Sequence, residues 1–164
     1  MQDAVPIRLG QEFKAYSVAI MRDIHRMDKA MDEMRTLNMG GTAIGTGINA
    51  DEGYLRRIVP NLTEISGMDF IQAFDLIDST QNLDPFVAVS GAVKACAVTL
   101  SKMSNDLRLM SSGPRTGFGE INLPAKQNGS SIMPGKVNPV IPEVVNQVAF
   151  NIIGNDAVSY THLT

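Results

Sequence analysis

The stretch DPFVAVSGAVKACAVTLSKMSNDLRLMSSGP, residues 84–114, decides the fold. Its apolar residues Phe86, Val89, Val93, Cys96, Leu100, Met103, Leu107 and Met110 step alternately by three and four. An α-helix turns once every 3.6 residues, so this spacing draws one narrow apolar stripe along a helix. Asp84 stands at the N-cap, where its carboxylate accepts from free backbone N–H groups, and Pro85 suits the first helical position, where no N–H is needed. Ser111-Ser112-Gly113-Pro114 stops the helix. Upstream, Phe13, Tyr16, Ile20, Ile24, Met27, Met31 and Met34 repeat the pattern and predict a helix over about residues 10–37. Arg22, Asp23, Arg26, Asp28, Lys29, Asp32 and Glu33 lie on its other face, a solvated or inter-helix face.

The segments between and after these helices are shorter. Residues 40–49 form a glycine-rich turn. Asn49 and Glu52 are spaced as a capping box for a helix ending near Gly67, with Leu55, Ile58, Leu62 and Ile65 as its apolar face. Pro60 is expected to bend or interrupt it. A short helical stretch is expected over residues 69–77. A last helix starts at Asn138-Pro139, with Asn138 as its cap, and carries Val140, Val144, Val148 and Ile152. No run alternates with period two as a strand does. Two long helices with narrow stripes predict an all-α fold, a long-helix bundle with coiled-coil-like packing.

Composition narrows the class. The chain has 164 residues, room for one ordinary domain. Hydrophobic residues make up 44% and charged ones 19%, which excludes a disordered chain. A net charge of -3 argues against nucleic acid as the main partner. Uninterrupted apolar runs such as residues 95–100 are too short to span a bilayer, and the first residues lack a secretory signal pattern. One cysteine excludes an internal disulfide and a multi-cysteine metal site. A soluble, cytoplasmic protein with no membrane partner is expected. Among single residues, His25 reads as a surface histidine, Cys96 as a small buried hydrophobe, Arg56-Arg57 as a solvated pair, and Asp51-Glu52 as helix N-terminal charges.

Residues 113–138 change the texture, with five glycines, three prolines and little periodicity. A loop this long in a helical protein is often functional. Its second half, Gly129-Ser130-Ser131-Ile132-Met133-Pro134-Gly135-Lys136-Val137-Asn138-Pro139, offers a glycine hinge, two hydroxyls, a lysine and an asparagine before a helix. A helix start and an ammonium together suit a carboxylate and any negative charge developing on it. A serine there accepts a proton only if its own oxyanion is stabilised. Such segments are also common as plain connectors.

The order Gly-Ser-Ser-x-Met-Pro-x-Lys-x-Asn-Pro resembles the signature loop of the aspartase/fumarase superfamily. Residues 2–13, 41–49 and 105–115 resemble other conserved regions of that superfamily, so the likeness covers about residues 2–156. Residues 105–110 and 140–148 are more similar to its aspartate ammonia-lyase branch than to fumarate hydratase. The resemblance implies reversible elimination of ammonia from L-aspartate to fumarate through an enediolate, with no cofactor or metal. It implies Ser130 as the base, Ser131, Lys136 and Asn138 as carboxylate-binding residues, and Glu143 as a carboxylate paired with a histidine. It also implies a homotetramer whose sites draw on three subunits.

That histidine belongs to a Thr-His pair that the family places just before the position of this chain's first residue. Residues 1–156 are therefore expected to be part of the central helical domain, including the signature loop at 129–139, with little or no activity alone. Residues 157–164 do not resemble the family and read as a non-native tail, so His162 is given no catalytic role. Two alternatives accompany this expectation: a fumarate hydratase of the same superfamily, and a helical oligomerisation module without catalysis.

Overall fold

A computed structural model describes residues 2–162 of the chain. The described residues form six helices and one pair of two-residue strands: α1 (Leu9–Glu33), β1 (Thr36–Leu37), α2 (Glu52–Ser66), β2 (Ile71–Gln72), α3 (Asp78–Gln81), α4 (Asp84–Met110), α5 (Val140–Asn155) and α6 (Ala157–His162). The all-α expectation holds. Residues 163 and 164 of the expected tail lie outside the described residues.

The chain divides into two compact units. The first holds residues 1–24 and 93–157, and the second holds residues 25–92 and 158–164. In the second unit, β1 and β2 pair in parallel, with Thr36 opposite Ile71 and Leu37 opposite Gln72. The helix expected over residues 69–77 is thus replaced by β2 and a turn, and helix begins only at Asp78. Two residues per strand are too few for any alternation to show in sequence. Asp51, not Asn49, caps α2: its carboxylate accepts from Tyr54 N–H at 3.2 Å. Asn49 instead takes a left-handed backbone with φ 62°, a conformation that asparagine tolerates. Pro60 lies inside α2 without ending it, and Gly67 closes the helix with φ 70°.

The long helices bury a different face from the one their large apolar residues mark. On α1, Asp23 is fully buried and Ala30 nearly so, whereas Phe13, Ile24 and Met31 stay 46%, 41% and 56% exposed. Asp23 was expected on the solvated face. On α4 the buried residues are Ala97, Ser101, Ser104 and Met110, and Phe86 and Leu100 remain exposed. Small side chains let a neighbouring helix approach closely, and a buried hydroxyl then needs a partner. α4 finds it on α5.

Among the described residues, α4 alone is long and apolar enough, by length and composition, to cross a bilayer, which the short uninterrupted runs had not indicated. Its polar groups are committed within the protein. Lys94 pairs with Asp156, Lys102 with Asp106, and Ser101 with Asn146.

Candidate functional site

The site belongs to the first unit and is built where α4 ends and α5 begins. Ser101, Asn105 and Arg108 recur at steps of four and three, which places them on one face of α4. Glu143 and Asn146 do the same on α5. The two faces are joined by a polar ladder. Ser101 Oγ donates to Asn146 Oδ1 at 2.8 Å, and Asn146 Nδ2 donates to Asn105 Oδ1 at 2.8 Å. Arg108 Nη1 donates to that same Asn105 oxygen at 3.4 Å, and its Nη2 lies 3.8 Å from Glu143 Oε1. Ser101 and Asn146 are buried, whereas Arg108 and Glu143 are half-exposed at the open end.

The connecting loop folds back on the end of α4. Glu120 N–H donates to Met110 O and Gly119 N–H to Ser112 O, both at 2.8 Å. Farther on, Gly129 N–H donates to Lys136 O at 2.8 Å beside an antiparallel bridge between Asn128 and Val137. This cross-link pinches residues 129–136 into a closed loop. The pinch is tight at Gly129, where a Cβ would lie 2.9 Å from Asn138 Oδ1 and 3.0 Å from Lys136 O. Asn138 does not cap α5: Pro139 occupies that place with ψ 64°, and no side chain caps the helix. A proline N-cap has no side-chain acceptor.

A cleft of about 500 Å³ opens here, lined by Arg108, Ser112, Lys136, Asn138 and Glu143 among others. The structure thus brings together three of the five residues picked out in sequence, Lys136, Asn138 and Glu143. Ser130 and Ser131 sit on the pinched loop and do not line the cleft. Ser130 is half-buried, and its Oγ accepts from Ile132 N–H at 3.3 Å. Ser131 is exposed. Two cations, Lys136 and Arg108, and one carboxylate, Glu143, therefore face one space, which favours an anionic ligand. Sequence reasoning missed Arg108 and Asn105 as site residues. The signal was present as polar residues at steps of three and four within an apolar helix. Among the described residues no group of three or more His, Cys, Asp or Glu side chains is placed to hold a metal ion.

A second hollow in the same unit, of about 340 Å³, is lined by Glu12, Tyr16, Lys102, Asp106 and Glu120. Tyr16 Oη donates to Asp106 Oδ2 at 2.8 Å, and Lys102 lies 5.1 Å above the tyrosine ring. Burial, and then the hydrogen bond to the Asp106 carboxylate, push the phenol up to about 12. It is a neutral donor at any physiological pH.

A family model described as Lyase matches residues 1–154. The chain is 56% identical over 156 residues to the aspartate ammonia-lyase of Bacillus subtilis and 60% identical over 157 residues to that of Pseudomonas canavaninivorans. Each match covers 95% of this chain and 33% of the relative, so the chain spans about a third of the length of these relatives. Among solved structures, a fumarate lyase:delta crystallin from Brucella melitensis, bound to cobalt, superposes with a TM-score of 0.93 at 51% identity, covering 99% of this chain and 35% of that one. A class II fumarase from Schistosoma mansoni superposes with a TM-score of 0.94 at 33% identity, covering 98% of this chain and 37% of that one.

Proposed function

The chain belongs to this lyase family, and from that premise we propose that the complete protein is an aspartate ammonia-lyase. The observation that carries the proposal is the likeness to aspartate ammonia-lyases at 56% to 60% identity across 95% of the chain. The convergence of Lys136, Asn138 and Glu143 on one cleft supports it.

In this proposal Ser130 removes a proton from Cβ of L-aspartate. The electron pair spreads over the neighbouring carboxylate as an enediolate, then forms the carbon–carbon double bond as ammonia leaves Cα. Fumarate remains, and the serine returns its proton to solvent. A hydrogen on carbon beside a carboxylate is a very weak acid, so donors must be in place before charge develops. Lys136 supplies a full positive charge, and Asn138 an amide lining the same cleft. Ser131 binds a carboxylate once substrate draws the loop toward the cleft. Glu143 pairs with a histidine contributed by another region and holds or moves a proton there. The N–H that Ile132 directs at Ser130 Oγ has the polarity an alkoxide needs.

A cytoplasmic homotetramer is part of the same proposal. Phe13, Ile24 and Met31 on α1 and Phe86 and Leu100 on α4 are large apolar side chains left exposed by a single chain. Large apolar side chains left open in this number are the material of an association surface. Residues 1–156 then form part of the central helical domain, and the 164-residue chain alone gives little or no fumarate.

The test is a hybrid enzyme in which residues 1–156 replace the matching stretch of the Bacillus subtilis relative. The hybrid should release fumarate from L-aspartate, followed by ultraviolet absorbance. Assembly without turnover of L-aspartate would overturn the proposal. Turnover of L-malate instead would establish the fumarate hydratase alternative, to which the shared fold of the Schistosoma mansoni fumarase also lends itself.

A further inference from the structure

We propose that Arg108 is a positioning residue for the elimination, acting through Glu143 and itself set by the ladder from Ser101 to Asn105. This rests on the assignment of Glu143 to proton handling in the proposed lyase.

Three observations carry it. First, Asn105 Oδ1 accepts from both Asn146 Nδ2 and Arg108 Nη1, so one amide oxygen ties the guanidinium to the seam between α4 and α5. The root of that tie is immobile, because Ser101 and Asn146 are buried and bonded to each other at 2.8 Å. Second, the other arm of the guanidinium reaches toward Glu143 Oε1 at 3.8 Å. A planar fork with one nitrogen on each of two acceptors fixes direction as well as charge, and a lysine ammonium does not. Third, Arg108 and Glu143 both line the cleft with Lys136 and Asn138.

The magnitudes separate positioning from mere stability. The Arg108 and Glu143 side chains are 41% and 32% exposed, and an ion pair so open contributes little to folding. Placement matters far more, since a reacting group misplaced by a fraction of its reach slows a reaction strongly. Arg108 therefore earns its place through where it holds the Glu143 carboxylate. The ladder crosses between the helices at two levels, Asn146 to Ser101 and Asn105, and Glu143 to Arg108, so it sets the register of α5 against α4.

The experiment measures steady-state kinetics of the hybrid enzyme on L-aspartate with Arg108→Ala, Arg108→Lys, Glu143→Gln and the double variant Arg108→Ala/Glu143→Gln. Arg108→Ala should lower kcat by about 10- to 100-fold, the loss expected of a misplaced catalytic group. KM should stay within about threefold, because the Arg108 guanidinium is engaged by Asn105 and Glu143 and the proposed carboxylate-binding residues Lys136 and Asn138 are untouched. Arg108→Lys should recover part of the rate. In the Glu143→Gln background Arg108→Ala should cost less than about twofold, since the two act as one unit.

Equal losses in both backgrounds, unchanged kinetics, or a raised KM at constant kcat would overturn the inference; the last would mean direct substrate contact. Loss of assembly in both Arg108 variants would make the residue structural and overturn it too. Each of these results leaves the lyase proposal standing. An unaffected rate in Glu143→Gln alone removes Glu143 and Arg108 together from the mechanism. A hybrid that assembles and turns over neither L-aspartate nor L-malate defeats the lyase proposal and this inference with it.

Discussion

Residues 40–49 and residues 129–138 are both rich in glycine, yet glycine does different work in each. In the first, Gly41 O accepts from both Gly45 and Gly47 N–H at 3.0 Å, and the turn presses against the backbone before α3. A Cβ on Gly45 would lie 2.4 Å from both Ile77 Cα and Leu76 O. In the second, Gly135 has the same φ of 84°, but a Cβ there would meet nothing within 4 Å. One segment uses glycine to let two stretches of backbone touch. The other uses it to shape an open loop that carries hydroxyls past a cleft. Glycine content therefore marks a turn in both cases, and only the surroundings tell packing from chemistry.

That contrast breaks if the two segments respond alike. The largest effect is expected in the open loop. Ser130→Ala in the hybrid enzyme should cost at least about 10²–10³ in kcat, the scale on which a single oxyanion donor already matters. Its melting temperature should not move, and undiminished turnover would remove Ser130 from the base role. Gly45→Ala should act in the opposite sense, lowering stability and leaving KM unchanged. Its left-handed backbone alone costs roughly 1–2 kcal/mol for any residue with a Cβ, and the overlap with Leu76 and Ile77 adds to that. Gly135→Ala should pay only the backbone cost, so its melting temperature should fall less than that of Gly45→Ala. Equal shifts in the two variants would show that the close approach at Gly45 carries no energy.

The smallest effect concerns a group outside both segments. Tyr16 ionises at about 12 when folded, against 10 in the unfolded chain. Between those values the folded protein keeps a proton that the unfolded chain has lost. The stability this contributes is intact below pH 10 and fades as pH rises toward 12. Denaturant unfolding across that window should show a shallower decline for Tyr16→Phe than for the parent sequence. Identical slopes would mean that neither the burial of Tyr16 nor its bond to Asp106 holds the phenol's proton in solution.

The parts of the fold legible in sequence were those fixed by local periodicity. The extent of α4, the halt at Ser111–Pro114 and the close of α2 at Gly67 all depend on residues within a turn or two of each other. What escaped depended on distant neighbours. Asp23 is an acidic residue on the face read as solvated, and no spacing within α1 records its burial. Asn49 and Asp51 are both plausible caps two residues apart, and only the backbone angle at Asn49 decides between them. Lys136 and Asn138 stood out within one glycine-rich loop before a helix, and Glu143 through the family resemblance alone. Asn105 and Arg108 lie on the far side of a long loop, and they join the site only after that loop has folded back.

The ladder between α4 and α5 also bears on how such proteins are recombined. Three of its members precede the loop and two follow it. A crossover placed anywhere in residues 111–139, the obvious seam for swapping segments between relatives, parts Ser101, Asn105 and Arg108 from Glu143 and Asn146. Unless both parents carry the same pairs, the progeny inherit a serine and an asparagine buried without their match. Here the loop is a poor place to cut, and the two helices on either side of it are inherited as one piece.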